Sequence, residues 1–281
     1  MAEKEKAKQN LRTACNYLFK ISKRWWGISW ALKILTFVLA LAAVFLTDTS
    51  IYVPIGVVVV SYLSEALNIY ASDFRGQAEA LSRKIDFRNS FNWKIKDTEI
   101  ADVIQKLPDS FDDISTTEED DVYFTSNEEF GWKRAMQNLQ ESAWYTKNLA
   151  KKMKRYCFII SVSIPSVCMV SLLIIILSKN VTEQQTFAVR ITTATLLLLV
   201  SSGLLQFTKN YDGLMKKAEA AESQSTNLLE STKDETFPAI RAFNEYHLAK
   251  ASAPPLPDWL WCWNEKKLNR NWEKFVSKNR D

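Results

Sequence analysis

Scarcity narrows this chain first. It has only 6 glycines and 7 prolines in 281 residues, whereas average usage would be about 7% glycine. Hairpin turns and phosphate-cradling loops both draw on glycine, so an all-α fold is expected. A single histidine, His247, excludes mechanisms that need two, and it reads as a solvated residue in a charged helix. No GxSxG, Walker or GxGxxG pattern occurs, so the sequence argues against an enzyme and points to no cofactor. Four cysteines, Cys15, Cys157, Cys168 and Cys262, lie far apart without CxxC spacing. Neither a disulfide framework nor a zinc site is expected. The net charge of +4 is too mild to mark a binder of nucleic-acid polymers.

Long apolar runs, by contrast, are plentiful. Stretches at 27–46, 51–70, 156–177 and 187–207 have the length of a membrane span, for which about 20 residues are needed. The first is a poor secretory leader, because a second span follows within a few residues. Lysines and arginines crowd the outer flanks: Lys20, Lys23 and Arg24 before the first run, Lys151, Lys152, Lys154 and Arg155 before the third, Lys209, Lys216 and Lys217 after the fourth. The turn TDTS carries no basic residue, and the turn SKNVTEQQT carries only Lys179. By the positive-inside rule, both turns face out, and the termini and central region face the cytoplasm. Asn180-Val181-Thr182 matches the N-glycosylation pattern in an outward turn, too near the bilayer for ready modification. The expected order is a cytoplasmic helix at 1–26, a hairpin at 27–70, a cytoplasmic region with an acidic loop at 71–155, a hairpin at 156–207, and a helix with a Trp-rich tail at 208–281.

Three of these spans look continuous with cytoplasmic helices. Phe74, Ala78, Leu81 and Ile85 keep helical spacing beyond the second. Met136, Leu139, Ala143, Leu149 and Met153 do so before the third, and Tyr211, Leu214, Ala218, Ala221 and Leu228 after the fourth. Such helices would pack as a cytoplasmic stalk. Between Asp97 and Asp121 lie ten acids against one lysine, ending in Glu118–Asp121; a solvated loop explains this run better than a cation site. In the tail, three prolines precede Trp259, Trp261, Trp263 and Trp272, which read as docking onto the stalk in preference to the membrane interface.

Several residues invite chemistry. Lys33 and Glu65 each lie about 20 Å below the outer turn at 1.5 Å per residue, so a structural intramembrane pair is expected. Ser161, Ser166, Thr192, Thr195 and Ser202 form a polar seam in the last two spans. Such a seam can line a pore, although helix packing accounts for small hydroxyl residues more simply. Arg75, Arg83, Lys84 and Arg88, with Trp93 just beyond, and Trp132, Lys133 and Arg134 interleave cations and aromatic rings as a phosphate-bearing ligand would require. Stalk charges facing the acidic segment explain the same pattern.

The stretches QNLRTACNYLFKISKRWW, LSRKIDFRNSF, YFTSNEEFGWKRAMQNLQESAWYTKNLAKKM and FNEYHLAKASAPPLPDWLW resemble the four-transmembrane pore-forming effectors of bacterial cyclic-oligonucleotide anti-phage defence. The likeness spans nearly the whole chain. It implies an inner-membrane homo-oligomer that answers a cyclic oligonucleotide, such as a cyclic dinucleotide, by permeabilising the membrane in abortive infection. No family motif assigns the nucleotide contacts. The alternative is a non-conducting membrane anchor that recruits a protein partner; an ion transporter is disfavoured because no acid lies at mid-depth of a span.

Overall fold

A computed structural model describes residues 2–45, 52–105, 107, 124, 126–177, 188–189, 191–196 and 203–278. Among them every regular element is helical: α1 (Ala2–Phe45), α2 (Tyr52–Phe91), α3 (Asp97–Gln105), α4 (Trp132–Leu177), α5 (Leu204–Leu229), α6 (Thr236–Ser252) and α7 (Asp258–Lys278). Residues 188–189 and 191–196 are helical as well. Ser202, the Asn180 triplet, the Glu118–Asp121 run and both turns expected to face out lie outside the described residues.

Contacts divide the chain into two compact units. The first comprises Met1–Lys20, Arg75–Met153 and Asn210–Asp281, the second Ile21–Phe74 and Lys154–Lys209. Helices α1, α2 and α4 contribute residues to both.

The first unit has a conventional core. Phe87 of α2, Met136, Leu139 and Ala143 of α4, Ala218 and Ala221 of α5, and Ala239, Ala242, Phe243 and Tyr246 of α6 form one buried cluster. Alanines at four of these positions on α5 and α6 let the helices approach closely, and Phe243 and Tyr246 supply the bulk. Buried Tyr246 is hydrogen-bonded through its hydroxyl to Ser142 Oγ at 3.0 Å and Thr146 Oγ1 at 2.7 Å, so its polar end is satisfied inside the core. Leu11, Ala14, Cys15 and Leu18 of α1 are also buried, and the Cys15 thiol donates to the Ala78 carbonyl of α2 at 3.4 Å. Burial pushes that thiol up to about 12, which leaves it unreactive.

Two chain reversals shape the surface of this unit. Helix α2 stops at Asn92, which adopts φ 57°, a left-handed cap that asparagine tolerates. The turn brings Trp93 back onto Phe87, rings stacked at 5.0 Å and 14°. At the start of α6, the Asp234 carboxylate accepts hydrogen bonds from the Thr236 N–H at 3.0 Å and hydroxyl at 2.6 Å. Pro254 and Pro255 end α6.

The second unit is built differently. Among the described residues its buried apolar side chains are Ala71, Phe74, Cys157 and Cys168. Ile55, Val58, Val59, Tyr62 and Leu63 of α2, and Phe158, Ile159, Val167, Val170, Leu173 and Ile174 of α4, are exposed. Two helical stretches, Ile55–Phe91 and Trp132–Ile175, are long and apolar enough to cross a membrane. Only 11% and 6% of their apolar windows are buried, so these windows are not packed as core helices of a water-soluble fold are. The α1–α2 contact here is polar and tight. Ser29 Oγ donates to the Ser64 carbonyl at 2.8 Å, and Ser64 Oγ to the Ser29 carbonyl at 2.9 Å. Both serines are buried, and small hydroxyl residues at such a crossing allow backbone approach. Lys33 Nζ stands 3.7 Å from Glu65 Oε2.

Candidate functional site

A cavity of about 520 Å³ opens in the first unit between α2, the chain after it, α3 and α6. Its floor is the aromatic stack of Phe87 and Trp93, extended by Phe91 at 6.1 Å from Trp93. Phe237 and Ile240 of α6 form an apolar wall. Trp93 and Phe237 are 52% and 78% exposed, so flat apolar surface remains open to solvent. Around it stand four cations, Arg83, Lys84, Lys94 and Arg241, against one lining carboxylate, Glu99.

Three of the four cations are partly positioned by a neighbour. Arg83 Nη1 donates to Asn244 Oδ1 at 3.5 Å. Lys84 pairs with Glu99 at 2.8 Å and by its hydrogen bond and charge holds that carboxyl below the usual range. Arg241 pairs with Glu245 one helical turn on, at 2.8 Å. These pairs are solvated and worth little by themselves, so an incoming anion can displace them cheaply. Guanidinium forks match phosphate oxygens, and open ring faces take a stacked base.

Behind the cavity lies a buried charged network. His247, 5% exposed, sits 3.6 Å from Asp86 Oδ2, and Lys250 Nζ lies 3.7 Å from Glu79 Oε2. Burial pushes the His247 imidazole down to about 3, with Lys250 and Arg83 adding to the shift. Asp86 is pushed up to about 6, by burial first and against the pull of Lys250 and Arg12. The expected solvated histidine is therefore a core residue. Its helix, α6, turns this face inward with Phe243 and Tyr246.

The basic and aromatic residues singled out by sequence separate in space. Arg83, Lys84 and Trp93 line the cavity. Arg75 donates to the Lys250 carbonyl at 3.1 Å, and burial holds its guanidinium below the ordinary range. Trp132 packs on the core cluster, Lys133 sits 5.7 Å over its ring, and Arg134 lies 4.5 Å over Phe130 while donating to the Glu128 carbonyl. Arg88 has its Nε buried and does not line the cavity. Lys94, Arg241 and Phe237 went unrecognised in the sequence, because only the Asn92 reversal and the packing of α6 bring them to Arg83 and Trp93. The apolar spacing of Ala239, Ala242, Phe243 and Tyr246 was the available signal for α6.

A second cleft of about 870 Å³, between α4, α5 and α7, is lined by Glu141, Glu219, Glu222 and Glu230 against Lys147, and its sign disfavours anions. Among the described residues no group of three metal-ligating side chains converges. In the second unit, the hydroxyls of Ser166, Thr192 and Thr195 donate to the carbonyls of Val162, Ala188 and Ile191 in their own helices, at 2.7, 2.8 and 2.9 Å. Ser161 Oγ is buried without a hydrogen-bond partner. No protein-family model, no curated protein and no solved structure matches this chain.

Proposed function

We propose that this protein is a multi-pass helical membrane effector controlled by a cyclic oligonucleotide, most simply a cyclic dinucleotide. The observation that carries the reading is the convergence of Arg83, Lys84, Lys94 and Arg241 around the open faces of Trp93 and Phe237. That chemistry suits a phosphate diester bearing a base, and it occurs in the same chain as two exposed apolar helices. Lysine and arginine placement supports four spans in two hairpins, with the termini and a cytoplasmic helical stalk inside the cell. The sequence resemblance supports a bacterial inner-membrane homo-oligomer whose opening permeabilises the membrane and aborts infection. A ligand drives such a change only through unequal affinity for the closed and open states.

The test is dye leakage from proteoliposomes with a panel of cyclic dinucleotides, paired with calorimetry. Each charge-assisted contact contributes about 1.5–3 kcal/mol, so Lys94→Glu with Arg241→Glu is expected to weaken binding by at least about tenfold and to abolish the leakage response. Both sites are exposed, so folding should survive. Unchanged binding in that variant overturns the site. One observation favours a second reading, a non-conducting anchor: the seam hydroxyls of Ser166, Thr192 and Thr195 are satisfied within their own helices. Binding without leakage would select it.

A further inference from the structure

Hydrogen-bond acceptors are scarce around the cavity of the first unit. Among the described side chains that line it, only Glu99 and Asn244 carry one, against the donors of Arg83, Lys84, Lys94 and Arg241. Asn244 Oδ1 already accepts from Arg83 Nη1. Glu99 is therefore the one carboxylate that faces a ligand there. Phosphate oxygens gain nothing from it, because like charges repel. As a solvated counter-ion for Lys84 it contributes little to stability.

Its placement ties it to the aromatic floor. Lys84 and Phe87 are three residues apart on α2 and share a face of that helix. Trp93 stacks on Phe87 at 5.0 Å, and Glu99 Oε2 pairs with Lys84 Nζ at 2.8 Å. The helix rises about 4.5 Å between the residue that carries the ion pair and the one that carries the stack. A flat base lying against Trp93 therefore has its edge within reach of the pair. Both partners are 41% exposed, so that edge is not blocked.

Edge chemistry then selects among the bases. The Lys84 ammonium only donates and an ionised carboxylate only accepts. The same lysine holds Glu99 below its ordinary pKa, which keeps it ionised at neutral pH. Guanine presents one acceptor, O6, beside two adjacent donors, N1–H and the 2-amino group. Lys84 can meet the first, and the two carboxylate oxygens the others. Adenine and cytosine each present one amine beside a ring nitrogen that accepts, so they satisfy the pair with two hydrogen bonds where guanine makes three. Uracil has a single N–H between two carbonyls. We infer that the Lys84–Glu99 pair reads a guanine base stacked on Trp93, with Glu99 as the specificity-determining residue of the cavity. Guanine recognition of this kind rests on the nucleotide reading above and narrows it to a cyclic dinucleotide that carries guanine.

Calorimetry on the full chain in detergent, with cyclic di-GMP and cyclic di-AMP as probes, provides the test. A bidentate base contact discriminates by about tenfold or more, so cyclic di-GMP should bind more tightly by at least that factor. Glu99→Gln removes a negative charge near the phosphates as well as one acceptor, so the ratio of the two affinities is the readout. That ratio should fall by about tenfold, with cyclic di-AMP bound as well as before or better. Glu99 is part-exposed, so melting should not change. Were Glu99 only a counter-ion for Lys84, its loss would tighten both ligands alike and leave the ratio fixed, which overturns the proposal. If the unaltered chain binds both ligands equally or prefers cyclic di-AMP, and Lys94→Glu with Arg241→Glu weakens both, the nucleotide site stands and guanine recognition falls. If neither ligand binds, the nucleotide reading falls and takes guanine recognition with it.

Discussion

The two units of this protein place their apolar side chains oppositely with the same secondary structure. In the first, alanines, Phe243 and Tyr246 bury an apolar core, and charged groups that enter it, Asp86, Glu79, His247 and Lys250, meet one another. In the second, valines, isoleucines and leucines point outward, and the buried groups between α1 and α2 include hydroxyls that bond across the helix pair. Apolar burial drives helices together only where water is the alternative. Where lipid is the alternative, small residues and hydrogen bonds must hold the pair. On the proposed membrane reading, exposure of a leucine or valine therefore means different things in the two units.

The comparison breaks most readily at the core of the first unit. Phe243→Ala should destabilise that unit by about 3–5 kcal/mol, measured by chemical denaturation in detergent, while leaving membrane insertion intact. Next is a matched pair of lysines. Val167 is 66% exposed in the second unit and Leu248 52% in the first. Val167→Lys should disfavour insertion by about 2.5–3.5 kcal/mol, read by membrane fractionation, whereas Leu248→Lys should stay within about 0.5 kcal/mol. Equal effects would show that both surfaces face the same solvent.

The smallest effect is in pH dependence. Asp86 titrates near 6 when folded and 3.8 when unfolded, so its contribution to stability is fully present below 3.8 and lost as pH rises through 6. His247 titrates near 3 when folded and 6.5 when unfolded, so its contribution is present above 6.5 and lost as pH falls through 3. Between roughly pH 4 and 6 each state holds one proton on the pair, and the two slopes cancel. His247→Gln should leave stability that rises on acidification over that window, and Asp86→Asn stability that falls. Denaturation midpoints of the two variants, compared at each pH, cancel the other carboxylates. Parallel profiles would mean that the pair does not titrate as its burial implies.

Much of the helical plan was legible. Glycine scarcity pointed to helix, and the apolar spacing of Phe74, Ala78, Leu81 and Ile85 corresponds to side chains that are all buried. The hydropathy segments at 27–70 and 156–207 lie inside the second unit. The site was half legible: Arg83, Lys84 and Trp93 line the cavity, yet Arg75, Arg88 and the Trp132–Arg134 group belong elsewhere. Interleaving of cations and aromatics along one strip of sequence reports helix composition. It does not tell which of those side chains share a cavity with another helix.

What the amino-acid sequence determined by itself is therefore periodic and local: helices, apolar runs, and the charges that flank them, because each depends on neighbours within a few turns. Tertiary structure alone decided three things. It buried His247 beside Asp86, it turned Trp93 back onto Phe87 through the left-handed Asn92, and it brought Arg241 and Phe237 of α6 to Arg83 of α2. Each of these joins residues distant in sequence or hangs on one backbone reversal, and no short-range pattern carries that information.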